Sequence, residues 1–467
     1  MKYTIYRLTL IFVMLAMAVS CVTPGYKTPK NLISDKTFRD GSTDTTTIAA
    51  INWSTYYGDH YLQKLISQAL DSNINLQLSI SRVKQANEYF KKARVAFVPN
   101  FNVGAQATVG KPSKYGTTPV DDDVKMPLTD YQLTASASWE IDVWGKLRSS
   151  KRAAYADLLS TQSAKDAVVT QLIADMASAY YQLVVMDAKL KVTEKTITNY
   201  TDYLAKVSVM KEQAQTNEVA VLQAKAQLYG AQSYLPQIKA SITIFENYIC
   251  LLIGKSGGFV ERSESLDLTS INNSDMIGIP TQLLQYRPDV RTAEFKMRAA
   301  HESFNMAKAS MYPSLKISGQ IGFEGMEIEK WFDPKSLFWN VVGGITEPLF
   351  NGRALRTQKN IAALQKEDSY LEFRLNLLNA TSEVSNAILQ TKSSAEKAKY
   401  TKLQCEALNN AFNYSIELFE RGYGTYLDVL SAQNGLFSSE LSLYDSYLEV
   451  ANQKIELYRA LGGGWRN

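Results

Sequence analysis

The chain has 467 residues, of which 45% are hydrophobic, and its formal net charge is only +4 at pH 7. Its basic residues are scattered and form no patch interleaved with aromatic residues, so we do not expect a nucleic-acid-binding protein. No nucleophile, general base or metal-ligand cluster stands out, so we expect neither an enzyme nor a bound metal. A length of this order ordinarily indicates two or three domains.

The first twenty residues indicate an export signal. Lys2 and Arg7 give a basic start, and an apolar run from Leu8 to Val19 follows. That run is too short to span a membrane, so residues 1–20 are predicted to be a signal peptide. It ends at Ala18-Val19-Ser20-Cys21, which resembles the lipobox of bacterial lipoproteins. Cys21 is therefore the candidate for a covalent lipid, and a chance cysteine behind an ordinary signal peptide is the alternative.

The spacing of apolar residues changes along the next segments of the chain. Residues 21–52 form a polar tether that we expect to be extended, and residues 53–96 have the apolar spacing of helices. Pro99 ends that helical pattern, and beyond it every second residue is apolar. From Tyr131 to Asp142 apolar and polar residues alternate throughout. Residues 97–142 are therefore predicted to be a β-hairpin whose strands, at about ten residues, have the length that crosses a bilayer.

Two long stretches, residues 146–229 and 354–421, contain neither glycine nor proline. The first has apolar residues at alternating steps of three and four, which is typical of a coiled coil. A helix from Leu147 to Met210 would be about 95 Å long at about 1.5 Å per residue. The apolar seam lapses near Gln213–Asn217. Residues 145–253 are therefore predicted to be a helical hairpin.

The chain repeats itself at an offset of 208 residues. Leu147-Arg148 corresponds to Leu355-Arg356, and Val221-Leu222 corresponds to Val429-Leu430. A tandem duplication predicts a linker and the helix that opens the second repeat in residues 254–312. It also predicts a second β-hairpin in residues 313–350 and a second helical hairpin in residues 354–461. The last strand has weak alternation, because Val341-Val342-Gly343-Gly344 fits either face.

Four strands of membrane length are too few to close a barrel, and open sheet edges leave backbone groups unpaired in hydrocarbon. Three chains would supply twelve strands. The predicted fold class is therefore a mixed α and β membrane protein, a homotrimeric channel-tunnel. In it a 12-stranded β-barrel, with four strands per chain, continues into a long α-helical barrel that reaches into the periplasm.

One run is the most specific of the sequence. It comprises Gly278-Ile279-Pro280 and the segment Leu283–Arg291, and Tyr312-Pro313-Ser314-Leu315 follows. With these residues the chain resembles the TolC-family outer-membrane efflux lipoproteins, and the resemblance covers nearly all of the mature chain. Members of that family are the exit ducts of resistance–nodulation–division (RND) tripartite pumps.

This resemblance implies a passive trimeric channel that carries drugs, metals or other small molecules from the periplasm to the outside. It implies a lipid-anchored protein in the outer membrane of a Gram-negative cell. The implied partners are a periplasmic adaptor (membrane fusion) protein, an inner-membrane RND-type pump and outer-membrane lipid, and the lipid on Cys21 is the only attached group. Two alternatives stay open: a duct for protein secretion, and a structural coiled-coil lipoprotein, which would not explain the strands.

The resemblance also assigns the second hairpin turn to the periplasmic end. The implied hairpin-tip and adaptor-contact residues are Gly422, Tyr423, Gly424 and Thr425. Leu427 and Asp428 correspond to positions that constrict the aperture in relatives, and Ser431 stands where a second acid is common. Some relatives have an arginine at the position of Gly424, and the first turn, Gln213–Asn217, lacks the glycine.

Simpler explanations accompany these assignments. Thr425 and Asp428 have the spacing of a capping box, which would account for both residues without a gate. Arg287-Pro288-Asp289 is predicted to be structural, since proline with a nearby acid is typical of a helix start.

Overall fold

The computed structural model describes residues 23–29, 38, 46–111, 113, 127–271 and 277–466. The predicted signal peptide and Cys21 lie outside the described residues, as does most of the predicted tether. Two compact units are present, and each is formed by three stretches of chain. The first comprises Met1–Thr28, Lys84–Ser160 and Glu294–Glu372, and the second comprises Pro29–Val83, Thr161–Ala293 and Phe373–Asn467.

Helices make up most of the described chain. In order they are α1 (Trp53–Tyr56), α2 (His60–Ser72), α3 (Ile74–Val95), α4 (Lys146–Glu212), α5 (Glu218–Leu252), α6 (Leu283–Tyr286), α7 (Pro288–Ala309), α8 (Ala354–Glu420) and α9 (Tyr426–Ala460). Helices α4 and α8 have 67 residues each, and α5 and α9 have 35 each. Both pairs begin 208 residues apart, as the predicted duplication requires.

The four strands are β1 (Asn100–Gly110), β2 (Leu128–Ile141), β3 (Ser314–Gly325) and β4 (Leu337–Thr346). They form one antiparallel sheet in the order β1-β2-β3-β4. Strand β4 stops at Thr346, four residues before the end of the hairpin predicted for residues 313–350. Pro348 follows two residues later and has no N–H to continue the ladder.

The register gives the sheet one apolar and one polar face. One row across all four strands reads Val103, Ala135, Ile321 and Trp339, and the adjacent row reads Asn102, Ser136, Gln320 and Asn340. The same register assigns the ambiguous end of β4. Val341 lies opposite Gly319 on the apolar face, and Val342 lies opposite Ser318 on the polar face.

The second unit has a core rich in tyrosine. Tyr56 stacks on Tyr458 with 4.0 Å between ring centroids, and Tyr57 and Tyr181 are also buried. Helix α4 contains an 18-residue window of mean hydropathy 1.2, apolar enough to cross a membrane, but 67% of it is buried inside the protein. A core helix passes the same test, so α4 needs no membrane to explain its composition.

Candidate functional site at the second hairpin tip

The turn between α8 and α9 closes through backbone hydrogen bonds. The N–H of Gly422 donates to the carbonyl of Phe419 over 3.0 Å, and the N–H groups of Tyr423 and Gly424 donate to the carbonyl of Leu418. Gly422 has a φ of +79°, in the left-handed region that favours glycine at a helix end. The hairpin tip therefore ends α8 with a left-handed glycine.

Gly424 lies at a close approach within the turn. A Cβ at this position would lie 3.2 Å from the backbone nitrogen of Phe419 and 3.3 Å from the Cβ of Leu418. An arginine at this position would therefore require the turn to shift by a few tenths of an ångström. The glycine accordingly has a structural reason that is independent of any gate.

The capping box predicted at the start of α9 is present. The N–H and O–H of Thr425 donate to Oδ2 of Asp428 over 2.8 and 2.6 Å, and the N–H of Asp428 donates to Oγ1 of Thr425 over 3.3 Å. These hydrogen bonds from Thr425 hold the pKa of the Asp428 carboxyl below its usual range. Asp428 is therefore an ionised, solvent-exposed carboxylate that also caps α9.

The candidate gate residues share one side of α9. Ser431 lies four positions after Leu427 and three after Asp428, and all three residues are exposed, with Leu427 47% exposed. Val429 and Leu430, between them in sequence, are buried. The first turn of α9 therefore has an anchored side and a free side, and the free side carries the predicted gate residues.

The anchored side belongs to a core shared by both helical hairpins. Its buried members are Tyr200, Tyr203 and Val207 of α4, Ala220, Val221, Ala224, Leu228 and Ala231 of α5, and Val429, Leu430 and Phe437 of α9. Helix α8 adds Phe412, Ile416 and Phe419 at its edge. The hydroxyl of Tyr203 donates to the carbonyl of Tyr426 over 2.8 Å. The second tip is thereby fixed to the first hairpin.

The first hairpin tip has the same geometry without a glycine. Ala214, which corresponds to Gly422 at the offset of 208, has a φ of +55°. Asn217, which corresponds to Thr425, caps α5 by accepting from the N–H of Ala220 over 3.2 Å. Position 220 is alanine where the second repeat has Asp428. The left-handed conformation of Ala214 was not predicted from the sequence, although the offset of 208 aligns this residue with Gly422.

Arg287-Pro288-Asp289 lies at the start of α7, at a junction where the buried Arg287 pairs with partly exposed carboxylates. The Arg287 guanidinium, 6% exposed, donates to the Asp289 carboxylate over 2.6 and 3.0 Å and to Glu383 over 2.5 Å. It also donates to the carbonyl of Ala460 over 2.9 Å. Burial raises the pKa values of both carboxyls, but the net direction is downward: Arg287 lowers both through its hydrogen bonds and charge, and Arg459 also lowers that of Glu383.

The same junction occurs in the first repeat with a neutral residue. Asn73 precedes α3 as Arg287 precedes α7, and its Nδ2 donates over 2.8 Å to the carbonyl of Leu252, the last residue of α5. Ala460, the acceptor from Arg287, is the last residue of α9. Both repeats therefore tie the residue before their opening helix to the end of their returning helix. This pairing was not predicted from the sequence, because the two donors differ in type.

The remaining His, Cys, Asp and Glu side chains are the candidates for metal ligands or reactive groups. Among the described residues no group of three or more His, Cys, Asp and Glu side chains could hold a metal ion. Cys250 and Cys405 are free thiols, and burial raises the pKa of each.

Curated relatives match nearly the whole chain. The cation efflux system protein CusC of Escherichia coli O6:H1 is 26% identical over 416 residues, 89% of this chain and 88% of CusC. The solvent efflux pump outer membrane protein SrpC of Pseudomonas putida is 28% identical, over 88% of this chain and 87% of SrpC. The probable outer membrane lipoprotein SilC of Salmonella typhimurium is 22% identical over 88% of each chain.

Solved structures share the fold. The outer-membrane channel OprN superposes with a TM-score of 0.87 at 24% identity, over 95% of this chain and all of OprN. The open-state MtrE channel of Neisseria gonorrhoeae gives a TM-score of 0.85 at 22% identity, over 95% of this chain and 98% of MtrE. The fold predicted from the sequence, an outer-membrane channel-tunnel with four strands per chain, is confirmed.

A family profile decides the membership. The profile described as outer membrane efflux protein matches residues 65–255 and 279–463, one match for each half of the duplication. This confirms the resemblance stated from the sequence, and with it the role in efflux and the location in the outer membrane. The chain belongs to the outer membrane efflux protein family.

Proposed function

We propose that this chain is the passive exit duct of a tripartite efflux pump, and that it works as a homotrimer. The single observation that carries the proposal is the two-faced sheet, with Ala135 in an apolar row and Ser136 in a polar row. An apolar face suits lipid, and a polar face suits a water-filled lumen. Strands β1 and β4 are the open edges, and twelve strands from three chains would pair them.

The partners follow from the exposed tip. Tyr423 is 83% exposed and Leu427 is 47% exposed, at the end of a hairpin whose other side is packed. An exposed aromatic and aliphatic pair at a rigid tip suits a protein partner. We propose that a periplasmic adaptor docks there and that an inner-membrane RND-type pump supplies the cargo. The efflux proteins that this chain resembles are not enzymes, and we propose the same for this chain.

We propose small molecules as cargo, whether drugs, metals or others. The relatives are named for different cargoes, cations for CusC and solvents for SrpC. A duct that three copies of one polar face would line has few specific contacts with its cargo. The choice of cargo would then lie with the pump and not with this chain.

We further propose that the free side of α9 forms the aperture. In a trimer three Leu427 and three Asp428 side chains would approach the threefold axis. A ring of carboxylates favours cations, and an apolar ring narrows a pore. Within each chain, the hydrogen bonds from Thr425 lower the pKa of the Asp428 carboxyl and so favour its charged form. Capping and gating are compatible, because the capping bonds to Thr425 leave the carboxylate exposed.

Lipidation of Cys21 is the last part of the proposal. Two residues beyond it, Thr23 lies beside Gly145, where an added Cβ would come within 2.6 Å of the threonine hydroxyl. The carbonyl of Pro24 accepts a 3.0 Å hydrogen bond from Nδ2 of Asn305. Gly145 lies between β2 and α4, so Thr23 lies near the end of β2. Palmitate labelling should mark the wild type and not Cys21→Ser, and equal labelling of both would refute lipidation.

Reconstitution tests the duct itself. Purified protein in a planar bilayer should give discrete conductance steps, and vesicles carrying it should release small solutes. Adaptor and pump should co-purify with the wild type and bind less to Tyr423→Ala. A protein that inserts into the bilayer yet passes no ions under any condition would refute the duct.

A further inference from the structure

The connection between β3 and β4, residues Met326–Ser336, is an ordered loop with two short 3₁₀ turns. The turns are Ile328–Lys330 and Pro334–Ser336. The hydroxyl of Ser336 donates to the carbonyl of Lys330 over 2.8 Å, and the N–H of Lys335 donates to Oδ1 of Asp333 over 2.8 Å. The first bond joins the two turns, and the second caps the second turn.

The loop folds over the apolar face of the sheet. The Trp331 ring lies 6.1 Å from that of Tyr131, and the Phe332 ring lies 5.7 Å from that of Phe323. Tyr131 and Phe323 both belong to the apolar face, since Phe323 is paired with Leu133, two residues beyond Tyr131. The loop therefore extends this face beyond the ends of the strands.

The same loop exposes large apolar side chains among charges. Met326, Ile328 and Phe332 are 66%, 57% and 66% exposed. Glu327, Glu329, Lys330, Asp333 and Lys335 are exposed beside them, and Glu327 and Lys330 form a 2.7 Å ion pair. Alternation of aromatic, aliphatic and charged residues is typical of a membrane–water boundary. In bulk water such a patch would be unfavourable.

The position of the loop in the fold indicates that it lies at the outer leaflet of the membrane. It joins the ends of β3 and β4 that are remote from helices α7 and α8, and the helices of this family lie in the periplasm. Copies that pair with the edge strands β1 and β4 do not cover the apolar face at β2 and β3, which the loop adjoins. We propose that Met326–Ser336 is a membrane-interface anchor. It seats Met326, Ile328 and Phe332 at the acyl–headgroup boundary of the outer leaflet and keeps its charges toward water.

Spin labelling tests the anchor, which rests on the proposed lipid-facing side of the sheet. Single cysteines are introduced in a Cys250→Ala, Cys405→Ala background, and that background without a new cysteine shows whether Cys21 takes up label. Labels at Ile328→Cys and Phe332→Cys report the anchor, and labels at Glu329→Cys and Lys335→Cys are the matched controls. A label at Ala135→Cys reports the sheet separately. The protein is reconstituted in bilayers, and relaxation by oxygen is compared with relaxation by a water-soluble nickel chelate.

The ratio of oxygen to nickel accessibility should be several-fold higher at positions 328 and 332 than at 329 and 335. Equal ratios at all four positions, with a lipid-exposed label at 135, would overturn the anchor and leave the sheet assignment intact. Protection of 328 and 332 from both reagents would mean a protein cover, such as a second copy, and would also overturn it. A water-exposed label at 135 would overturn the anchor and the proposed barrel together.

Discussion

At the scale of single residues, the two hairpin tips differ in backbone strain. Gly422 and Ala214 hold equivalent left-handed positions, but only glycine adopts that region without a steric penalty. The first repeat thus keeps a conformation that its residue disfavours. The turn survives because Asn217 caps α5 and the shared core holds both hairpins.

Ala214→Gly should therefore stabilise the protein, by about 1 kcal/mol, because it removes the left-handed penalty. Gly422→Ala should destabilise it by a similar amount. The measurement is the apparent Tm in detergent. Gly230→Ala is the matched control: it lies inside α5 with open space around it, so it should raise the Tm slightly. A lower Tm for Ala214→Gly would show that the strain is compensated elsewhere.

Three substitutions distinguish a role of these residues in gating from a role in capping α9. Leu427→Ala should raise the conductance of the resting channel most, because it removes the apolar constriction. Asp428→Ala should chiefly weaken cation selectivity. Thr425→Ala breaks the same capping box but leaves the carboxylate, so it should lower the Tm and retain selectivity. Planar-bilayer recordings of all three give the answer, and unchanged conductance and selectivity in the first two would remove both residues from the gate.

At the scale of elements, the sheet register predicts opposite tolerance of charge at adjacent positions. Ala135→Arg, on the apolar face, should cost on the order of 2–4 kcal/mol near the bilayer midplane. Ser136→Arg, in the polar row, should be mild because water solvates its charge. Yield of folded protein in the membrane and Tm after extraction measure both. Greater damage from Ser136→Arg would reverse the assigned faces.

The stability contributed by the ion pairs of Arg287 should depend on pH and should be lost in acid. Asp289 and Glu383 have lowered pKa values, so their pairing with Arg287 is fully present above the usual carboxyl range. It is lost as the pH falls through these lowered pKa values. Arg287→Met should therefore lower stability on the order of 2 kcal/mol at pH 7, since the carboxylates are partly solvated.

The difference in Tm between Arg287→Met and the wild type should shrink as the pH falls toward 3. Arg356→Met, which replaces an exposed arginine on α8, is the matched control and should change the Tm little at any pH. A difference that stays constant from pH 7 to pH 3 would mean that Arg287 acts through packing and not through charge.

The periodicity of apolar residues was enough to predict the helices and strands, but not the contacts between them. Period 2 and the heptad seam are repeated many times in a strand or a long helix, so β2 and α4 could be located from the sequence. The weak alternation of β4 was resolved only by its pairing with β3, which is a tertiary contact. The bond from Asn73 to Leu252 joins residues 179 apart through one side chain, and no local pattern signals it.

At the scale of the whole molecule, the duplication explains why one chain supplies two similar hairpins with different ends. Both repeats keep the lengths of their helices and the junction at their base. They differ at the tips, where only the second has a glycine turn and Asp428. A trimer of this chain would therefore have six hairpins in two alternating kinds, and a charged ring formed by the second kind alone.

The assembly itself is the last prediction. A monomer would leave β1 and β4 with unpaired backbone groups at membrane depth, and each such group costs several kcal/mol in hydrocarbon. Three copies remove all the edges at once, since each β1 can pair with the β4 of a neighbour. Light scattering in mild detergent should therefore give a protein mass three times that of one mature chain, without smaller species at dilution. Because the edges are backbone, the side-chain variants Leu427→Ala and Asp428→Ala should keep that mass. A stable monomer, or a dimer that still conducts ions, would contradict the twelve-stranded barrel.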